Sequence, residues 1–133
     1  MRKIFENIKL KNGLNLQMFY RSKTMAGDRC QVIFKVKIDV DIRPEVFSDK
    51  MSSDIAFQNV QNLLGNRTYF HYLKERNFVS ENEKEEILET MKQDFIAANF
   101  RYLSSPDFPA RLIKRNYLKE LESYQIKQRR LMV

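Results

Sequence analysis

His71 is the one imidazole in this chain of 133 residues, and so the one side chain whose ordinary pKa lies near neutrality. As a general base it needs a nucleophile or an orienting carboxylate within reach. Asp39 and Asp41 offer carboxylates, alternating onto one face of a strand-like segment about 6.5–7 Å apart by strand rise. Such a pair can flank a bond for acid–base work or begin a divalent-cation site. The surrounding residues argue against both. No third acidic residue stands at a diagnostic offset, and the Asp-x-Asp-x-Asp-Gly loop, the Gly-x-Ser-x-Gly elbow and the His-Glu-x-x-His helix are absent. Asp39 and Asp41 instead alternate with Lys35, Lys37 and Arg43, as a solvated face does. The sequence therefore predicts a non-enzymatic protein with no metal and no cofactor. Acid–base chemistry by His71 with Asp39 or Asp41 is the subordinate expectation.

Cys30 shares its strand face with Val32, Phe34 and Val36, and there it acts as a small hydrophobe whose thiolate is disfavoured. One cysteine and one histidine build neither an internal disulfide nor a Cys/His zinc cluster. Phosphate-binding loops need several glycines close together, whereas Gly13, Gly27 and Gly65 are isolated and each is explained by a turn.

A binding surface is better supported. Phe19 and Arg21 on the second strand, Lys35 and Lys37 on the third, and Tyr69 and His71 on the fourth put rings and cations on one sheet face. Single-stranded nucleic acid is held by such a platform, the rings stacking bases and the cations meeting phosphates. Arg111, Lys114, Arg115 and Lys119 add a cationic side to the last helix. Against this, the Arg/Lys-Gly-aromatic signature of the common four-stranded RNA-binding module is missing, and Asp39 and Asp41 repel phosphate.

The charge allows more than one partner. The 24 Lys and Arg outweigh the 17 Asp and Glu by +7, with +6 over residues 1–43, −4 over 44–107 and +5 over 108–133. Basic ends and an acidic middle either neutralise one another inside the fold or leave a basic surface. The first expectation is therefore a protein-binding or self-associating domain, with Phe108 between Pro106 and Pro109 and the Leu131-Met132-Val133 tail as apolar contacts. Single-stranded nucleic acid is the second. No apolar run reaches the ~18 residues of a membrane span. The N-terminus meets Glu6 before any apolar run develops, so a secretory signal is not expected and a cytoplasmic location is.

These side chains need a scaffold, and the periodicity supplies one. Ile4–Leu10 and Leu14–Lys23 read as strands joined by an Asn12-Gly13 hairpin. Cys30 to Ile42 alternates most cleanly, with Cys30, Val32, Phe34, Val36, Ile38, Val40 and Ile42 inward. A helix is predicted from near Pro44, or from a Ser52-Ser53-Asp54 cap, through Leu64 to a stop at Gly65. Arg67–Phe78 reads as a fourth strand fading near Lys74, with a helix as the alternative. Ser80 and Glu83 form a capping box for a helix with a stripe of Leu88, Met91, Phe95, Ala98 and Tyr102. A last helix, capped near Asp107, carries Ile113, Tyr117, Leu121 and Tyr124. The fold class is α+β in one domain: an antiparallel sheet of about four strands, in the order β-β-β-α-β-α-α, with helices on one face.

Overall fold

Strands form where alternation is strongest. In the computed structural model, which describes residues 3–47 and 56–131, they are β1 (Lys3–Lys9), β2 (Asn15–Ala26), β3 (Arg29–Asp41) and β4 (Arg67–Ser80). The helices are α1 (Phe57–Leu64), α2 (Lys84–Leu103) and α3 (Phe108–Leu131), with a 3-10 turn at Pro44–Phe47. The fold is α+β, and the sheet is antiparallel in the order β1-β2-β3-β4. Ile8 pairs with Leu16 and Asn7 with Gln17, then Phe19 with Lys35 and Arg21 with Ile33. One register thus sends every even residue from Cys30 to Ile42 to the buried side.

The first turn shows a short motif serving two elements. Gly13 takes φ +89, Asn12 Oδ1 accepts from the Leu14 N–H at 3.2 Å, and Leu10 N–H donates to Leu14 C=O at 2.8 Å. Asn12 Nδ2 also donates to the carbonyls of Leu103 and Ser105 at 2.8 and 2.9 Å. The Leu103 carbonyl ends α2 and the Ser105 carbonyl lies just past it, so Asn12 caps a helix end 91 residues away.

β4 extends past the expected fading point. It stays extended to Ser80, and the helical alternative for residues 67–74 is not adopted. Even residues point inward at Thr68, Phe70 and Tyr72, whereas the buried residue near the end is Val79. Phe78, at φ +58, makes the switch of parity. The Cys30 thiol donates to Val79 C=O at 3.5 Å, and the Glu81 N–H to Asp28 C=O at 2.8 Å, fixing the end of the strand.

The helix starts need correction. The capping box at Ser80 does not form, because Ser80 belongs to β4 and three turn residues precede Lys84. Glu83 stands at the cap in an α conformation with no side-chain bond. The expected stripe on α2 is also rotated: Ala98 and Tyr102 are exposed, and Leu103 is buried with Met91 and Phe95. Lys92 and Asn99 share the inward side, each with a partner that makes this tolerable. In α3 Ile113 is buried and Tyr117 and Leu121 half-buried, but Tyr124 is exposed. Asp107 immediately precedes α3 and Pro109 lies in its first turn, as expected. Near Pro44 there is only the 3-10 turn, and the Ser52-Ser53-Asp54 cap lies outside the described residues.

Contacts gather the chain into two compact units, Met1–Ile38 with Phe70–Ser105 and Asp39–Tyr69 with Pro106–Val133. In the first, Phe34 is fully buried and stacks on Tyr20 at 5.4 Å while meeting Phe95 of α2 edge-on at 5.8 Å. Tyr72 closes the cluster against Phe95 at 4.7 Å. In the second, α1 packs on α3, with Val60, Phe108, Ala110, Leu112 and Ile113 buried. Asn116 Nδ2 donates to Thr68 Oγ1 at 2.8 Å and to Tyr69 C=O at 3.1 Å, tying α3 to the start of β4.

A polar group is built into the edge of the aromatic cluster. Lys92 Nζ lies 3.0 and 2.8 Å from the two Glu6 oxygens, and the Tyr20 hydroxyl donates to Glu6 Oε2 at 2.8 Å. The lysine bond holds the Glu6 carboxyl below its ordinary 4.5, and Glu6 in turn raises Lys92. Burial first, then Glu6, pushes the Tyr20 hydroxyl well above its usual range. A depressed carboxylate adds stability above its unfolded pKa and loses it as pH falls through the folded value. The raised lysine adds stability below its unfolded pKa and loses it in strong alkali. Thermal melts from pH 6 down past 4.5 are expected to show wild type losing stability faster than Glu6→Gln. The difference is about 1 kcal/mol or less, since Glu6 is 40% exposed and partly screened. Parallel curves would mean that the pair does not form in solution.

Candidate functional site

Within the first unit, the odd-numbered residues of β2, β3 and the part of β4 before Phe78 lie on the side opposite the buried even ones, and four of the sequence-predicted binding residues meet there. Phe19, Arg21, Lys35 and Lys37 line one groove of about 420 Å³, together with Ile33, Leu73 and Glu75. The sheet register explains the convergence. Phe19 is directly opposite Lys35, Arg21 is directly opposite Ile33, and Lys37 is two residues along β3 from Lys35. A half-buried ring thus has a cation across the strand gap and two more at neighbouring positions of the same face. Leu73 of β4 is 58% exposed and gives the groove an apolar wall. Glu75 is its one carboxylate against three cations. Further along, Gln31 Nε2 donates to Asn77 Oδ1 at 2.9 Å, joining β3 to β4 on this face.

The other expected residues are not in this groove. His71 is exposed on the same unit of β4 but outside the groove lining. Tyr69, Arg111, Lys114 and Arg115 belong to the second unit. Tyr69 lines a shallow hollow there with Asp41, Arg43, Asn66 and Arg67. Arg115 is exposed, Lys114 half-buried, and Arg111 lies 4.0 Å from Asp107.

The aspartates are committed to arginine. Arg67 Nε donates to Asp41 Oδ1 at 2.9 Å, Arg43 reaches Asp41 Oδ2 at 3.1 Å, and Arg67 lies 4.0 Å from Asp39. The Arg67 bond, helped by Arg43, keeps the Asp41 carboxyl below the usual carboxylate range. An ionised carboxylate held by two arginines has no proton to donate and is a weak base, and its charge is matched locally. The repulsion of phosphate expected from Asp41 is correspondingly weaker. Burial pushes the Cys30 thiol up, consistent with a packing role.

No family model, curated protein or solved structure matches this chain. Its geometry is therefore the ground for a function. Among the described residues, no group of three or more His, Cys, Asp or Glu is placed to hold a metal ion, and no helix is long and apolar enough to cross a membrane.

Three groove residues escaped the sequence reading. Ile33 occupies a wet-face position on β3, and an apolar residue interrupting a polar face is the signal that points to it. Leu73 and Glu75 fall where β4 was expected to fade, so neither was placed on a sheet face.

Proposed function

We propose that the protein is a binding module without catalytic chemistry of its own, and that the open sheet face around Phe19 takes single-stranded nucleic acid. One arrangement supports this reading: Phe19, Ile33 and Leu73 line one groove together with Arg21, Lys35 and Lys37, so that apolar side chains and cations interleave. Apolar lining interleaved with cations suits an unpaired base together with its phosphates. A duplex, whose base faces are already stacked, leaves the apolar lining unused. The groove favours the second sequence expectation over the first, whose apolar contact Phe108 is buried.

Fluorescence anisotropy with single-stranded RNA and DNA of about 12 nucleotides, a length within the range covered by sheet platforms, tests this directly. Micromolar or tighter binding at low salt is expected, with weaker binding of the matching duplex. Three cations on phosphates give a log–log salt slope of about −2 for a single strand. No binding to either strand type at low salt would rule the reading out.

A further inference from the structure

The second half of α3 carries large apolar side chains on its exposed surface. Its buried residues, Phe108, Ala110, Leu112 and Ile113, all fall in the first six positions. From Leu118 to Leu131 every residue is exposed except half-buried Leu121. Leu118 is 47% exposed, Tyr124 51% and Leu131 79%. This segment continues a helix already nucleated by its packed first half, so what it leaves in water is apolar side-chain surface.

The spacing on this segment identifies a face. Tyr117, Leu121, Tyr124, Gln128 and Leu131 follow one another at intervals of four, three, four and three, the repeat that lets two helices pack along a common seam. Glu120 and Lys127 flank this seam seven residues apart. Neither has an ion-pair partner among the described residues.

We propose that this half of α3 pairs with the same segment of a second copy, antiparallel, with Leu121 of one chain against Tyr124 of the other. That register sets Glu120 beside the second copy's Lys127, and the two-fold axis repeats the pair. It also separates the Arg129–Arg130 clusters to opposite ends and opposes the helix dipoles. A parallel pairing fits worse: it stacks the two Arg129–Arg130 clusters together and leaves Glu120 facing Gln125. Two heptads make a small contact, so the dimer dissociates on dilution.

Sedimentation equilibrium over a range of concentrations, without nucleic acid, reads this out. Wild type is expected to rise from 16.0 kDa toward twice that mass. Glu120→Lys alone and Lys127→Glu alone should each weaken association at least tenfold. An equimolar mixture of the two should restore it as a heterodimer, since only an antiparallel pairing matches their charges. The double variant Glu120→Lys/Lys127→Glu should likewise self-associate as wild type does, and Tyr124→Ser should not. These positions are exposed, so the variants keep the fold, which circular dichroism verifies. A wild type that stays monomeric at every concentration overturns the proposal. So does a dimer indifferent to the charge changes, or a mixture that fails to associate.

Discussion

Reversing Lys35 and Lys37 together to Glu is expected to weaken single-strand binding by about a hundredfold to a thousandfold at low salt. Two unit charges about 4 Å apart in water interact by about 1 kcal/mol, and a reversal counts that twice. Two positions then amount to about 4 kcal/mol, at tenfold per 1.4 kcal/mol. Both lysines line the groove, and Glu75 adds to the repulsion once they are reversed. Folding should change little: Lys35 is exposed and Lys37 half-buried, neither with the tight burial that makes substitutions costly. Lys119→Glu, on exposed α3 surface outside the groove, serves as the comparison and should leave affinity within about twofold. Equal losses in both proteins would mean that diffuse positive charge, with no built groove, does the binding.

Phe34→Ala is expected to cost about 3–5 kcal/mol, the range for emptying a buried phenylalanine site. Phe34 has no exposed surface and meets Tyr20, Tyr72 and Phe95 within 5.4–6.1 Å. Those neighbours are themselves large rings anchored on β2, β4 and α2, so the cavity cannot close by a small shift. For a chain of this size the loss lowers the melting temperature by roughly 10–20 °C. Phe78→Ala removes the same ring from the same sheet, but there the ring is 64% exposed, and the change should stay within about 0.5 kcal/mol. Urea titrations of both variants measure the contrast. A Phe34→Ala loss below about 1 kcal/mol would contradict the central place of this ring.

Alternation made much of this fold legible. In β3 six consecutive even positions, Cys30 to Val40, are apolar and all six are buried, because one register error would expose them all. The same logic placed Phe19, Arg21, Lys35 and Lys37 on one face, and they do line one groove. Legibility failed where a polar residue sits inward beside a partner distant in sequence. Lys92 reads as outward until Glu6, 86 residues away, is beside it, and so the α2 stripe was placed on Ala98 and Tyr102. In β4, Phe78 shifts the inward parity after four polar residues, which no strict two-residue period can follow. The Asp39–Asp41 pair was read as part of a solvated face, and its partner Arg67, 26 residues beyond Asp41, is invisible in a linear reading.

The groove is tested most directly by the amide NMR spectrum of the protein titrated with a single strand of about 12 nucleotides. Binding at the sheet face should move the signals of Phe19, Arg21, Ile33, Lys35, Lys37 and Leu73 first and furthest, in proportion to occupancy. Saturation that leaves those six signals in place, or that moves only residues of α3, would contradict it.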